Sequence, residues 1–509
     1  MTSSEPPQPA PSPGGLGLVV GRGIFWMFSS TALAKILAVI NQIVLGWYLT
    51  AEDYGIFALS LGFAAIFMTL ANGGIQHILV RRGVEAFDDL VAAAFWFATA
   101  FNLAAATAIL LLTPLAVDLY GENELQPVLA VMALGVAIAA PSIVFQARLQ
   151  VGLRFRQLAQ VTLASAVAWS VCVCSLAYFG FGAITFAWGN VAMALAEGAM
   201  GWWLTREAIH RWRPTWRGWR SFWRDSAWLN LGNVFSALTQ RGDYFVLGFF
   251  VSTSVLGVYT FAFLLAAQIN AIIGQQTQKV VVPVLRRFVD DEPRLAQASE
   301  RFLPMIVVMT AIPSLALALV AAPLEQLIWR GKWEPAVVAI VVFAAMAPLR
   351  MMSTVPHALV AAQGRFALRA FLIGFQAAMV MAGAALGGWL FPDHVAGLAL
   401  VVGLAYVVAN QLVVQYAMPQ SKLALLRLLL HCLYVYAVAV VAALLAWATT
   451  HLFFPLDTVL HTFVASLALY GLLVTVLLRL LAAAQIREAR NVLPARLAKL
   501  VDRVLLLRS

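Results

Sequence analysis

Among the charged side chains inside apolar runs of this chain are Lys35, Glu197, Arg241 and Asp243. A charge near the centre of a bilayer costs on the order of 2.5–3.5 kcal/mol even on the lenient insertion scale, so such residues are functional by default. Lys35 and Arg241, at comparable depth, suit an anionic ligand in a hydrated gap. Amides accompany them at helical spacing. Thr31, Lys35, Ala38 and Gln42 share one face, and Asn230, Asn233, Ala237 and Arg241 share another. Asn72 and Gln76, and then Gln268, Gln275 and Gln278, carry the polar stripes onto the segments that follow. The plainer alternative is internal pairing, Arg241 with Asp243 and Lys35 with Glu197, with amides that only bond neighbouring helices. Taken singly, the amides favour packing; the two cations favour the gap.

Enzymatic chemistry finds no support. No Ser/His/Asp set, metal spacing or phosphate loop assembles on one side of the membrane. His77, His357 and His431 are isolated in apolar surroundings and read as packed residues. Cys172, Cys174 and Cys432 lie in apolar runs without disulfide or metal-ligand spacing. No catalytic residue, metal or resident cofactor is expected.

The elements that must position these side chains follow from composition. The 509 residues are 62% hydrophobic and 11% charged, against about 25% charged in ordinary soluble domains. Apolar segments long enough to cross about 30 Å of hydrocarbon fall at 24–49, 55–79, 90–117, 127–149, 158–179, 182–204, 226–251, 255–280, 302–323, 336–360, 367–390, 395–418, 425–450 and 459–483. The fold class is therefore an all-α polytopic membrane protein with about fourteen transmembrane helices. Turns as short as "STSVLG" and "FPDH" make neighbours antiparallel.

Alternate loops divide by charge. One set holds Arg81, Arg82, Arg154, Arg156, Arg206 to Arg224, Arg286 to Arg301, Arg365 and Lys422. The other holds Glu52, Asp53, Glu122, Glu124, Asp393 and Asp457, with Arg330 and Lys332 as its basic members. The positive-inside rule places the first set, and both termini, in the cytoplasm. The net charge of +10 is then mostly topology, and a nucleic-acid partner is not implied. Residues 1–21 are rich in Pro, Ser and Gly and read as a disordered tail. Residues 485–509 read as a basic cytoplasmic tail. Within the linker 206–225, Trp212, Trp216, Trp219 and Trp223 form one helical stripe and Arg213, Arg217, Arg220 and Arg224 the next. That pattern suits an interfacial helix lying on anionic membrane lipids.

The chain also repeats itself. An offset of 202 residues aligns "FWMFSSTALAKILAVINQIVLGWYLTAEDYGIFAL" with "AWLNLGNVFSALTQRGDYFVLGFFVSTSVLGVYTF" without a gap. Both copies then reach paired arginines, Arg81-Arg82 and Arg286-Arg287, and a fainter echo links "LQVGLRFR" to "AAQGRFALR". The expected domains are a six-helix N-lobe (22–205), the linker, a six-helix C-lobe (226–418) and two further helices (419–484). Both copies start on the same side, so a pseudo-two-fold axis along the membrane normal should relate them, with the substrate cleft between.

The pattern "VLGWYLTAEDYGIFALSL…NGGIQHILVRR", its second copy, "LRFRQLA" and the fourteen-span plan resemble the Wzx-type polysaccharide-transport flippases of the multidrug/oligosaccharidyl-lipid/polysaccharide exporter superfamily. The resemblance covers residues 22 to about 480. It implies alternating-access transfer of undecaprenyl-diphosphate-linked oligosaccharide across a bacterial inner membrane, for exopolysaccharide, O-antigen or capsule synthesis. It also implies H+ or Na+ coupling, for which Asp243 and Glu197 are the deep carboxylates, and a polymerase or chain-length regulator as partners. A multidrug or metabolite antiporter and a lipid II-type flippase are the near alternatives. A glycan polymerase or ligase fits less well, because the outer loops are short.

Overall fold

In hydrocarbon every backbone N–H and C=O must be satisfied within its own segment, so apolar runs of this length can only be helices. The computed structural model describes residues 13–72, 74–207, 212, 219–418, 420–453 and 459–481. They form sixteen α-helices: α1 (Pro13–Tyr48), α2 (Ala51–Asn72), α3 (Ile75–Tyr120), α4 (Leu125–Ile138), α5 (Ala140–Val151), α6 (Phe155–Tyr178), α7 (Ile184–Thr205), α8 (Trp219–Leu247), α9 (Thr253–Arg286), α10 (Glu292–Trp329), α11 (Val337–Met351), α12 (Thr354–Ala362), α13 (Phe366–Leu390), α14 (Val395–Ala417), α15 (Lys422–Ala448) and α16 (Val459–Leu481). The predicted segments are largely helical, but 55–79 runs from α2 past Gly74 (φ 64°) into α3, and 226–251 runs beyond the end of α8 at Leu247. Among the described residues ten helices are long and apolar enough to cross a membrane, or eleven if the α4/α5 pair counts as one bent span. Among the described residues of α9 the apolar stretch is Thr253–Ile269.

Local chemistry sets the ends. Thr50 and Asp53 cap each other at the start of α2: the Thr50 amide donates to Asp53 Oδ2 at 2.7 Å, and the Asp53 amide donates to Thr50 Oγ1 at 3.2 Å. Ser252 accepts from the Val255 amide at the matching position of α9. Left-handed residues end α3 at Gly121 (φ 70°) and α10 at Arg330 (φ 57°). Gly83, at φ 80°, breaks α3 just beyond the paired arginines.

Other boundaries also differ from the sequence expectation. Helix α1 starts at Pro13, because the apolar run 16–20 extends its pattern into the segment expected to be disordered; residues 1–12 lie outside the described residues. The predicted span 127–149 is α4 and α5, bent by 42°. Its counterpart 336–360 is α11 and α12, interrupted at Met352–Ser353. Both broken spans close through the same bond. The Arg154 amide reaches back to Leu149 O (2.9 Å), and the Arg365 amide to Val360 O (3.1 Å).

The packing pattern repeats as well. Helix α1 packs on α6, α6 on α7, α3 on α4, and α4 on α7; α8 packs on α13, α13 on α14, α10 on α11, and α11 on α14. The copies meet mainly through α2 against α8 and α9. Helices α15 and α16 pack on each other and on α10. Of the linker, 208–211 and 213–218 lie outside the described residues, as does the basic tail within 482–509; Trp219, Arg220, Trp223 and Arg224, expected in a separate interfacial helix ending at 225, stand in the first turns of α8, which starts at Trp219. Trp212 is described and is docked on α3: its carbonyl accepts from Trp96 Nε1 at 2.9 Å and its ring meets Phe95.

Beside it Arg148 of α5 joins Asp88 (2.7 Å) and Glu207 (2.9 Å), tying α3, α5 and the end of α7 together. Burial raises the Glu207 carboxyl above its ordinary pKa, against the pull of Arg148. Glu207 therefore holds its proton more tightly folded than unfolded, and stability falls as pH rises from the unfolded value through the raised one. Thermal midpoints across that range should fall less for Glu207→Gln than for the wild type; equal slopes would show that Arg148 fully compensates the burial.

Candidate transport site

The two copies meet backbone to backbone. A Cβ at Gly55 would strike the Thr253 carbonyl, and one at Gly257 would strike the Ala51 carbonyl. The 202-residue offset equates Gly55 with Gly257 and Ala51 with Thr253. The contact is thus reciprocal: each copy presents the same glycine to the same carbonyl of the other. The pattern continues outward. Trp329, last residue of α10, donates its Nε1–H to Ile43 O at 3.1 Å. Tyr120, last residue of α3, donates its hydroxyl to Phe245 O at 3.1 Å. Ile43 and Phe245 are again equated by the offset.

One side of this closure carries extra fastening. Trp333 Nε1 donates to Gly46 O (2.9 Å) and Lys332 Nζ to Trp47 O (2.8 Å), satisfying carbonyls at the C-terminal end of α1. Trp47 Nε1 donates in turn to Ile328 O. Thr253 donates to Glu122 across the same seam. Tyr54, Phe261 and Trp333 fill it with buried rings, Phe261 and Trp333 stacked at 3.8 Å. Lys332 is therefore more than a charge that a short loop tolerates, and the loop is part of the closure.

Toward the arginine-rich end the predicted cations sit at staggered depth. Lys35 is eight residues before Ile43, about 12 Å along α1, and Arg241 four before Phe245, about 6 Å along α8. Both are half-buried, and neither makes an ion pair among the described residues. The internal pairings weighed from sequence are absent. Asp243 is fully buried and accepts instead from the Tyr259 hydroxyl (2.8 Å) and the Tyr244 amide (3.0 Å). Glu197 accepts from Gln146 Nε2 at 3.1 Å, joining α7 to α5. The offset pairs Asp243 with Asn41, which donates to Ser170 Oγ (2.8 Å) and accepts from the Cys174 thiol.

The predicted polar lining divides. Gln42 is buried with its Nε2 unpartnered among the described residues. Asn230 is buried and partnered, Asn233 exposed and Gln76 half-buried. The side chains of Asn72 and Gln275 lie outside the description.

A second cluster in the C-lobe escaped the sequence reading. Arg350 of α11 lies over the Tyr406 ring at 3.9 Å and near Phe263 at 5.2 Å. Tyr406 donates to Thr239 O (2.6 Å), and Phe263 stacks on Tyr259, the partner of Asp243. Asn410 donates to Tyr406 O, Gln376 Nε2 to Asn410 Oδ1 (2.8 Å), and Gln376 Oε1 meets His357 Nε2 at 2.9 Å. A polar chain thus runs from Asp243 through rings and amides to His357. The available signal was Arg350 itself, a charge well inside the predicted span 336–360.

The seam has a direct test. Trp329→Phe and Tyr120→Phe each delete one reciprocal bond, worth about 1 kcal/mol. Each should speed thiol labelling of a Ser60→Cys probe at the fully buried seam; unchanged labelling in the double variant would mean the bonds do not hold it shut.

With this geometry in view, comparison with known proteins is informative. A family model described as polysaccharide biosynthesis protein matches residues 44–338. The lipopolysaccharide biosynthesis protein WzxC of Escherichia coli (strain K12) is 20% identical over 347 residues, 67% of this chain and 70% of that protein. Among solved structures, the lipid II flippase MurJ in an inward closed conformation superposes with a TM-score of 0.68 at 13% identity, covering 89% of this chain and 99% of that one. A multidrug resistance MATE family transporter of the MOP superfamily, inward-facing, gives 0.56 at 16% identity over 77% and 95%. These two show a shared fold.

Proposed function

This chain belongs to the polysaccharide biosynthesis protein family, and from that premise we propose that it is a flippase for an undecaprenyl-diphosphate-linked oligosaccharide in a bacterial inner membrane, with both termini cytoplasmic. The relative WzxC is named for lipopolysaccharide biosynthesis and MurJ for flipping lipid II, which supports a lipid-linked glycan as cargo. The physical demand is severe, since each unpaired polar group in hydrocarbon costs several kcal/mol. The observation that carries the reading is a reciprocal, glycine-seated closure at one end with two intramembrane cations below it that make no ion pair among the described residues. In this reading the closure is the outer gate, Lys35 and Arg241 counter the diphosphate, and the amides replace the water that the sugars give up. The polyprenyl tail stays in lipid.

Opening the outer gate must break the Trp329 and Tyr120 bonds together, because rigid lobes separate both symmetric contacts at once. That makes the closure cooperative, with two discrete states. Asp243 is assigned the coupling site for H+ or Na+: it is buried, lacks an ion pair among the described residues and joins α8 to α9 through Tyr259. Glu197, on α7, is the N-lobe carboxylate assigned the same role. Partnership with a polymerase or chain-length regulator completes the reading, with the Trp/Arg linker as its cytoplasmic handle.

Lys35→Gln and Arg241→Gln should each lower polysaccharide export at least about tenfold at unchanged protein abundance, the size of losing about 1.4 kcal/mol of anion stabilisation. Normal export by both variants would remove the cation role. In proteoliposomes Asp243→Asn should abolish the response of transport to an imposed H+ or Na+ gradient; wild-type transport indifferent to both gradients would remove the coupling role.

A further inference from the structure

Helices α10 and α15 begin at the same, arginine-rich end and pack along their lengths. Near these starts the two helices line an open pocket of about 380 Å³, with Gln297, Glu300 and the exposed Arg301 from α10, His431 and the exposed Arg427 from α15, and Pro304 and Leu428 as apolar lining. Arg301 and Arg427 make no ion pair with Glu300 or any other carboxylate among the described residues. Two arginines and one carboxylate leave a surplus of one positive charge without an internal partner.

The pocket borders lipid. Leu423, Leu426 and Leu430, on either side of Arg427 along α15, are 60%, 53% and 57% exposed. In a spanning helix that surface faces acyl chains. Arg427 lies five residues into α15, about 8 Å from its start, where a long cationic side chain reaches headgroup phosphates.

We propose that this pocket binds the headgroup of an anionic phospholipid in the leaflet at the arginine-rich end, one carrying a single phosphodiester charge and a hydroxylated headgroup, as phosphatidylglycerol does. A phosphodiester accepts the forked donors of a guanidinium in a way that a carboxylate-free surface lysine does not match. One negative charge neutralises the surplus. Glu300, an acceptor without a donor, suits the headgroup hydroxyls and repels a second negative charge, so a dianionic phosphomonoester is disfavoured. The acyl chains run along the exposed leucines of α15. The bound lipid then bridges α15 to α10, so the two helices beyond the repeat are held partly by the membrane itself. This site is separate from Lys35 and Arg241 and from the linker, and it does not rest on the flippase reading.

The test is native mass spectrometry and lipid titration on the full chain in phosphatidylcholine nanodiscs, with and without phosphatidylglycerol. The R301Q/R427Q variant should bind phosphatidylglycerol about tenfold more weakly than the wild type and lose the rise in thermal midpoint that the lipid gives. E300Q should narrow the preference for phosphatidylglycerol over phosphatidic acid several-fold. Equal binding by R301Q/R427Q and the wild type overturns the proposal. Displacement of the lipid by soluble glycerophosphoglycerol at matched concentration also overturns it, by assigning a free-anion site. Should R301Q/R427Q melt early in phosphatidylcholine alone, R301K/R427K decides: part of the binding should return with the charge, and binding no tighter than that of R301Q/R427Q refutes the site.

Discussion

Helices α2 and α9 cross so closely at Gly55 and Gly257 that each glycine lies against a backbone carbonyl of the other helix. No side chain fits there, and the rest of the interface is set by that distance. It lets Trp329 and Tyr120 reach the equivalent carbonyls of Ile43 and Phe245, and it brings Tyr54, Phe261 and Trp333 into one buried stack. Because lipid tails are as apolar as leucine, helices in a membrane gain little from merely hiding apolar surface. Close backbone approach and aimed hydrogen bonds supply the specificity here.

The closure is symmetric in its backbone contacts and asymmetric in its fastening. Trp333 and Lys332 add donors to the end of α1 that have no equal on the opposite side. The duplicated halves have diverged in charge as well. Asn41 stands in the N-lobe where Asp243 stands in the C-lobe, and the amide is satisfied by Ser170 and Cys174 while the carboxylate is satisfied by Tyr259 and its own helix. A buried carboxylate without a counter-ion is expensive. At this equivalent pair of positions the C-lobe carries that cost and the N-lobe, with a neutral amide, does not.

The polar chain from Asp243 to His357 shows how a membrane interior carries charge-bearing groups. Arg350 has its guanidinium on the faces of Tyr406 and Phe263, which repays part of its desolvation without neutralising it. Gln376 and Asn410 are each both donor and acceptor in series. These bonds link α12, α13 and α14 through His357, Gln376 and Asn410, while His357 Nδ1 has no partner among the described residues.

Much was legible from sequence alone. Apolar length dictated helices, because hydrocarbon offers the backbone no other partner, and the 202-residue offset already equated the glycines and carbonyls that meet. The charges Lys35, Arg241, Asp243 and Glu197 were visible as anomalies against that apolar background. What stayed hidden was who meets whom. Arg350 drew no notice among apolar neighbours, Lys332 passed for a tolerated loop charge, and the pairings Arg241 with Asp243 and Lys35 with Glu197 are not made. Periodicity reports which face of its own helix a residue occupies. Which helix lies opposite that face, and whether a tyrosine, an amide or a carboxylate answers it there, depends on contacts hundreds of residues apart, and those are decided only when the two copies close on each other.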